Sequence, residues 1–240
     1  IMLAGSSCSI DVNSPTAEYE IDWGDGMTEN PSGTGSKSYR HTKGDNGLYQ
    51  VEIRNCGDVT SCMASTSCLV AYWSIGGSKV SSISFSGCSK LIYFGKDMFK
   101  NDMNRTSVSY ILSNCTSLTS VDLTPLSGWV NVTDAYGMLY DCGNLTSVDL
   151  TPLSYWTKMT RNTILILGDS ALSFITVLST TPFPLSSGAL TNGNSCPISV
   201  PDEAVETYKT ATNWSAYASR IKPISEKTEA GEQTNRTTSI

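Results

Sequence analysis

The chain has 240 residues, of which 39% are hydrophobic, so it can form a buried core and is too apolar for a disordered chain. Its net charge of −6 argues against a nucleic-acid partner, because nucleic acids are bound by basic surfaces. No stretch approaches the roughly 20 consecutive apolar residues of a membrane helix. Ser, Thr, Asn and Gly are abundant while only 16% of residues are charged, which favours mainly β structure with many turns.

The beginning of the chain predicts a small antiparallel β-sandwich. Residues 18–26, EYEIDWGDG, alternate as a strand does and end in an Asp-Gly turn signal. Residues 44–54, GDNGLYQVEIR, predict a turn followed by a strand, with Tyr49, Val51 and Ile53 on one face.

Two carboxylates and the one histidine of the chain lie in this region. Asp22 and Asp25 offer oxygen ligands to a calcium ion, but Gly24 and the missing twelfth-position Glu break the EF-hand spacing. The favoured interpretation is that both aspartates accept hydrogen bonds from turn amides. We favour a structural role for His41 over a catalytic one. No cofactor is predicted.

The middle of the chain contains an internal repeat. Residues 112–129 and 139–156 match at thirteen of eighteen positions without a gap, including the identical run LTSVDLTPLS, which sets a period of 27 positions. Residues 85–94 and 166–177 continue the period in a more divergent form. Neighbouring copies of one supersecondary unit bury a shared core, so this periodicity predicts a leucine-rich-repeat solenoid of about four turns.

Each turn follows the pattern L-x-x-C-x-x-L-x-x-V-x-L, which alternates best as a strand beginning at Thr119 or Ser120. Strands of successive turns would form a parallel sheet, ended by the prolines of Thr124-Pro125-Leu126 and Thr151-Pro152-Leu153. Residues at equal positions in successive turns point the same way, so we expect internal columns of side chains. This structural ladder comprises Cys88, Cys115, Cys142, Leu118, Leu145, Val121 and Val148.

The ladder cysteines are interpreted as buried thiols, because equivalent positions in a stack do not face one another as a disulfide requires. Five cysteines lie off the ladder: Cys8, Cys56, Cys62, Cys68 and Cys196. A bridge among them, such as Cys56–Cys62, remains open. A metal site is disfavoured, because the cysteines lack histidine partners and the C-x-x-C spacing.

Two tryptophans recur at one repeat position. Trp129 and Trp156 either pack over the edge of the solenoid or form an exposed aromatic ladder for a glycan or protein partner, to which Tyr155 would add. We therefore consider Trp129, Tyr155 and Trp156 as candidate binding residues. Asp122 and Asp149 also share a repeat position, and we interpret them as solvent-facing rather than as a catalytic pair.

The segment from 196 to 224 contains the one convincing helix. Pro201 suits a first helical position, and acidic residues follow it in the first turn. An apolar stripe through Tyr208, continued by Trp214 and Ile221 in a second short helix or turn, predicts a cap that closes the open end of the solenoid. The predicted divisions are a sandwich at 1–56, a solenoid at 57–195, the helical cap at 196–224 and a polar tail or linker at 225–240.

Several of these patterns resemble known families. IDWGDG, His41-Thr42 and GLYQVEI look like the signature of PKD-like β-sandwich domains, with Lys43 in place of the usual Tyr. The repeat L-x-x-C-x-x-L-T-S-V-D-L looks like BspA-type leucine-rich repeats, and residues 195–221 are similar to the closing segment of such solenoids in Bacteroides-like bacteria.

The resemblance implies a non-enzymatic adhesion or recognition module on a bacterial cell surface, or secreted, that binds a protein or glycan on a host or bacterial surface. It implies no particular binding residue, because the family recognises varied partners. The alternative is a bacteriophage virion protein, a fibre or capsid decoration that could contact a host receptor. Neither interpretation involves nucleic acid or a membrane span, and both allow the chain to be part of a larger assembly.

Overall fold

The computed structural model describes residues 1–4, 7–16, 18–31, 33–42, 48–54, 61–64, 67, 69–72, 84–94, 105–161, 171–190 and 195–226. The described chain consists mainly of strands with few helical turns, which confirms the predicted mainly β class. Within these ranges no helix is long and apolar enough to cross a membrane. Four predicted features lie outside them: the turn at Asn46-Gly47, the cysteines Cys56 and Cys68, the repeat positions Ile166 and Asp169, and the tail from residue 227.

The strands are short and are numbered in chain order. They are β1 Met2–Ala4, β2 Ser7–Ser14, β3 Glu20–Asp22, β4 Thr28–Glu29, β5 Gly35–Thr42, β6 Leu48–Gln50, β7 Glu52–Arg54, β8 Ser61–Ala64, β9 Leu69–Tyr72, β10 Tyr93–Phe94, β11 Ser147–Asp149, β12 Phe174–Thr176, β13 Ile198–Val200 and β14 Ile221–Pro223. The helix α1 spans Val205–Thr210, and 3₁₀ turns span Thr124–Leu126, Thr151–Tyr155, Asp202–Ala204 and Ser215–Tyr217.

Antiparallel sheets form the first part of the fold. Strand β2 lies between β5 and β8, and its Cys8, Ile10 and Val12 are buried while Asp11 and Asn13 are exposed. This alternation gives the sheet one face for the core. Because β8 pairs with β2 and β9 pairs with β1, the antiparallel region extends beyond the predicted boundary at residue 56.

The predicted hairpin at EYEIDWGDG is present. Strands β3 and β4 pair antiparallel, and Gly26 in the connecting turn has a φ of 89°, which glycine adopts without strain. The predicted strand in residues 44–54 is divided at Val51, which is buried. Strand β6 before it pairs with β1, whereas β7 after it pairs with β3, so this one segment contributes to two sheets.

Parallel pairing joins β9 to β10 and then the strands of the repeats, and in part of the repeats its register follows the period. Ser147 lies opposite Phe174 in the β11–β12 pair, one full period later in the sequence. A second column of parallel bridges joins Ser107 to Asp134 and Asp134 to Arg161, again one period apart at each step. The four-stranded parallel sheet β11-β12-β13-β14 aligns one buried residue from each strand: Val148, Ile175, Ile198 and Ile221.

The ladder cysteines are placed by a recurring left-handed turn. Gly87, Asn114 and Asp141 immediately precede the three ladder cysteines and have φ angles of 76°, 58° and 58°, a conformation that Gly, Asn and Asp tolerate best. The following thiols are buried, as predicted: Cys88, Cys115 and Cys142. The Sγ of Cys115 donates to the carbonyl of Phe85 at 3.1 Å, and the Sγ of Cys142 donates to that of Leu112 at 3.0 Å. Each of these two thiols thus bonds to a carbonyl in the preceding copy.

We expect the ladder thiols to resist alkylation while the protein is folded. Burial raises the pKa of Cys88 to about 12 and also raises the pKa of Cys115, so little thiolate forms at pH 8. Peptide-resolved mass spectrometry after iodoacetamide treatment should find Cys88, Cys115 and Cys142 unmodified in buffer and modified in guanidinium chloride. Similar labelling in both conditions would contradict the buried positions.

The two most similar copies differ in their strands. The second copy forms β11, as the alternation predicts, but residues 119–123 of the first form no strand, although the amide of Thr146 donates to the carbonyl of Thr119 at 2.9 Å. In both copies the Thr-Pro-Leu segment forms a 3₁₀ turn, consistent with the predicted end of pairing.

The segment predicted as a helical cap contains strands as well as a helix. Ile221 belongs to β14 rather than to a helix, and β13 and β14 extend the parallel sheet across the predicted boundary at residue 196. In the chain, helix α1 lies between these two neighbouring parallel strands, and it packs against β14. At that end lie the exposed Lys222 and then Pro223, which has no N–H to pair, and such residues protect a sheet edge.

Candidate functional site

The structure separates the three predicted binding residues. Trp129 and Trp156 are completely buried, and the Nε1 of Trp156 donates to the carbonyl of Leu126 at 3.1 Å, in the preceding copy. An exposed ladder that includes these two tryptophans is therefore wrong, because neither ring is accessible to a partner. Tyr155 is 59% exposed and stays a candidate.

The ladder residues lie where a structural role places them. Leu118, Leu145 and Val148 are buried, and Val121 is partly buried against the core. The repeated aspartates Asp122 and Asp149 are both exposed. Each accepts a hydrogen bond from the amide two positions later, at 2.9 Å from Thr124 and 2.8 Å from Thr151. The two aspartates therefore have the same structural role in the two copies.

The carboxylates considered for calcium bond to their own turn, as predicted. Asp22 accepts from the amide of Gly24 at 2.8 Å, and Asp25 accepts from the amide of Met27 at 3.1 Å. Asp25 also contacts His41 Nε2 at 2.7 Å, and this bond holds the pKa of the Asp25 carboxyl below its usual range. The His41 ring stacks on Trp23 at 4.8 Å, so the histidine packs within the antiparallel region. In the part of the chain that the structure describes, no group of potential ligands is arranged to hold a metal ion.

A different set of aromatic residues is accessible on the repeats. We call Tyr110, Tyr136, Tyr140 and Arg161 the tyrosine cluster. Tyr110 is 43% exposed and Tyr140 is 36% exposed, while Tyr136 is partly buried. The rings of Tyr110 and Tyr136 meet edge to face at 5.3 Å. The guanidinium carbon of Arg161 lies 4.2 Å from the centre of the Tyr136 ring, within the range of a cation–π contact.

Asp134 holds this arrangement together. Its Oδ1 accepts from the amide of Tyr136 at 3.0 Å, and its Oδ2 accepts from Arg161 Nη1 at 2.9 Å. Partial burial by itself would raise the pKa of Asp134, but the hydrogen bonds from the Tyr136 amide and from Arg161 outweigh burial and lower the pKa. The parallel bridge from Asp134 to Arg161 places both residues on adjacent copies, so the backbone stacking aligns the ion pair.

Tyr110 has a strained backbone. Its φ is 56°, a left-handed conformation that costs a bulky residue roughly 1–2 kcal/mol. The equivalent residue of the next copy is Gly137, which has the same conformation with a φ of 62°. A Cβ added to Gly137 would lie 2.6 Å from Cε1 of Tyr110, so the missing side chain makes room for the ring. Strain of this kind at an exposed residue points to a function that requires the ring there.

We expect Gly137→Ala to disturb the tyrosine cluster and to destabilise the fold by about 1–2 kcal/mol. The new methyl group meets Tyr110 and must also adopt a positive φ. The change can be measured as a lower thermal midpoint together with altered tyrosine fluorescence. Gly143→Ala is the control, because a Cβ there meets nothing within 4 Å and no positive φ is required. Equal midpoints for both variants would contradict the close approach.

A concave surface lies on the parallel sheet. A cavity of about 260 Å³ is lined by Phe174, Ser199, Lys222 and Pro223 among others. Apolar atoms make up most of its walls.

Sequence reasoning missed the tyrosine cluster because it followed the residues that recur. The signal lay in the positions at which neighbouring copies differ. Tyr110 is equivalent to Gly137, and Asp134 is equivalent to Ser107 and to Arg161. The apolar positions that repeat serve the shared core, whereas positions that vary are free to form a surface.

Comparisons with known proteins identify no relative of this chain. No family model matches the sequence, and neither a curated protein nor a solved structure is significantly similar to it.

Proposed function

We propose that the chain is a non-enzymatic recognition module that binds a protein or glycan partner at a bacterial cell surface or after secretion. In this proposal the repeats form a leucine-rich-repeat solenoid of the BspA type, and the preceding antiparallel sheets form a PKD-like sandwich. The parallel bridges that recur once per period and the stacked buried column of Val148, Ile175, Ile198 and Ile221 support the solenoid.

The observation that carries the binding function is the tyrosine cluster. Tyrosine supplies a large, rigid and amphipathic contact surface with little side-chain entropy to lose on binding. Here Tyr110 is held in a strained conformation, and Tyr136 and Arg161 are fixed against each other by Asp134. Such preorganised groups reduce the cost of ordering on association.

The test is an array of glycans and of host and bacterial surface proteins, probed with the intact chain. We expect saturable binding to at least one class of ligand and no turnover of any bound glycan or peptide. Hydrolysis of an array component would overturn the non-enzymatic assignment. Absence of all binding would overturn the recognition function.

The second candidate is a structural protein of a bacteriophage virion. Its support is that backbone bonds such as those from Ser107 to Asp134 and on to Arg161 link successive copies into a stack that can serve as a stiff spacer. Copurification with phage particles, detected with an antibody to the chain, would favour this candidate. Recovery on the outside of intact bacterial cells would favour the adhesion module.

A further inference from the structure

We propose that the tyrosine cluster is a carbohydrate site that takes a neutral pyranose of a glycan, with the exposed Tyr110 ring against the sugar and the Arg161–Asp134 pair bonded to its hydroxyls. The inference rests on the proposed recognition function and names the class of ligand. It follows from three properties of the cluster, which are its size, its charge and its arrangement of donors and acceptors.

The size favours a sugar over a protein surface. A stable protein partner buries about 800 Å² on each side, around a core of large side chains. The cluster offers two well-exposed tyrosines, Tyr110 and Tyr140, and their immediate sequence neighbours Ser109, Asp141 and Ile111 include no exposed large apolar residue. Two exposed tyrosine rings are enough to contact one or two sugar rings.

The charge favours a neutral sugar. Arg161 Nη1 lies 2.9 Å from Asp134 Oδ2, so the cation is already balanced by a carboxylate. An acidic sugar would meet Asp134 as well as Arg161 and would gain little. A neutral hydroxyl can instead donate to the carboxylate and accept from the guanidinium, and the pair presents both groups side by side.

The geometry suits the two faces of a pyranose. The faces of tyrosine rings carry partial negative charge, which attracts the partly positive C–H groups on the apolar face of a sugar. The Arg161 side chain is 56% exposed and bonds to Asp134 through Nη1, so its other guanidinium N–H groups are accessible beside the rings. An apolar surface with a few placed polar groups is the usual composition of a small-ligand site.

The discriminating variant is Tyr110→Gly, because glycine already occupies the equivalent position 137 and accepts the φ of 56° without strain. We expect the thermal midpoint to be unchanged or higher and affinity for neutral oligosaccharides to fall roughly tenfold or more. The matched control is Leu178→Ala, which removes another exposed large hydrophobic side chain that lies outside the tyrosine cluster and is not a candidate binding residue. This control should bind as the unaltered chain does.

A second variant tests the charge argument. Asp134→Asn keeps an acceptor for the Tyr136 amide but leaves the charge of Arg161 unbalanced. We expect its preference to move from neutral oligosaccharides towards those containing a carboxylated sugar, measured by calorimetric titration of both classes. An unchanged preference would overturn the neutral-sugar assignment.

The outcomes separate this inference from the proposed function. Binding to proteins alone, or glycan binding that Tyr110→Gly leaves intact, would overturn the carbohydrate site and leave the recognition function standing. Loss of binding together with a large fall in the thermal midpoint of Tyr110→Gly would make the ring a packing element and overturn the site as well. No binding to any ligand by the unaltered chain would overturn both.

Discussion

Replacement of Trp156 by alanine is expected to destabilise the protein by about 3–5 kcal/mol, the usual cost of removing a buried tryptophan. The ring is completely buried, so its loss leaves a cavity as well as forfeiting the free energy of burial. The change also deletes the hydrogen bond from Nε1 to the carbonyl of Leu126, which leaves a buried acceptor without that donor. We expect the thermal midpoint to fall by about 10 °C.

Tyr155→Ala is the control for this experiment, because Tyr155 is the adjacent aromatic residue and is 59% exposed. A surface substitution of this kind should change stability by no more than about 0.5 kcal/mol. An exposed aromatic ladder would give the opposite result, with Trp156→Ala as stable as the unaltered chain. Urea unfolding of both variants therefore decides between a packing role and a surface role for Trp156.

The repeat shows which features of this protein can be predicted from its sequence. A residue that recurs once per period, such as Cys115 and Cys142, must meet the same surroundings in each copy, so its burial can be predicted from its spacing. Trp129 and Trp156 also recur strictly, and their burial agrees with the packing alternative and not with the exposed ladder.

The end of the chain could not be predicted to the same extent. In residues 196–223 the spacing between paired strands becomes shorter than the period of the repeat, since Ile198 lies opposite Ile221. The repeat pattern is therefore lost in the sequence although the strand pairing continues. The Pro-Asp-Glu start and the apolar stripe suggested a helix, but α1 ends at Thr210, and tertiary packing places Ile221 in β14.

The contact between the Tyr110 and Tyr136 rings could not be predicted from the sequence. Tyr110 and Tyr136 are separated by one position less than the period, and they become neighbours because the amide of Tyr110 donates to the carbonyl of Tyr136 at 2.9 Å. The bonds from Val108 to Asp134 and from Leu112 to Met138 have the same offset, which therefore belongs to the parallel stacking of the copies. Neither the φ angle nor the resulting ring contact has a pattern that spacing alone reveals.

Leu118→Asp is expected to have the largest effect of any substitution considered, a loss of more than about 4 kcal/mol and unfolding of the repeats. Leu118 is completely buried, as are Leu91 and Leu145 at the equivalent positions of the copies before and after it. A carboxylate there would be placed among apolar side chains without a partner, which costs far more than the cavity left by a smaller residue.

Two further variants isolate the charge as the cause. Leu118→Ala creates only the cavity and should cost about 2–5 kcal/mol. Thr119→Asp places the same carboxylate on the exposed adjacent residue, whose backbone carbonyl bonds to Thr146, and should be nearly neutral. Circular dichroism in urea should therefore rank Thr119→Asp as most stable and Leu118→Asp as least stable.

The pH dependence of Leu118→Asp supplies the last test of this argument. Burial raises the pKa of a carboxyl in the folded state above the value of about 4 that it has in the unfolded chain. Folding is therefore penalised increasingly as pH rises above about 4, and the penalty lessens as pH falls towards that value and the buried group binds a proton. The stability gap between Leu118→Asp and Leu118→Ala should narrow between pH 7 and pH 4. A gap that does not change with pH would mean that the carboxylate reaches solvent, and that residue 118 is not enclosed by the copies on either side.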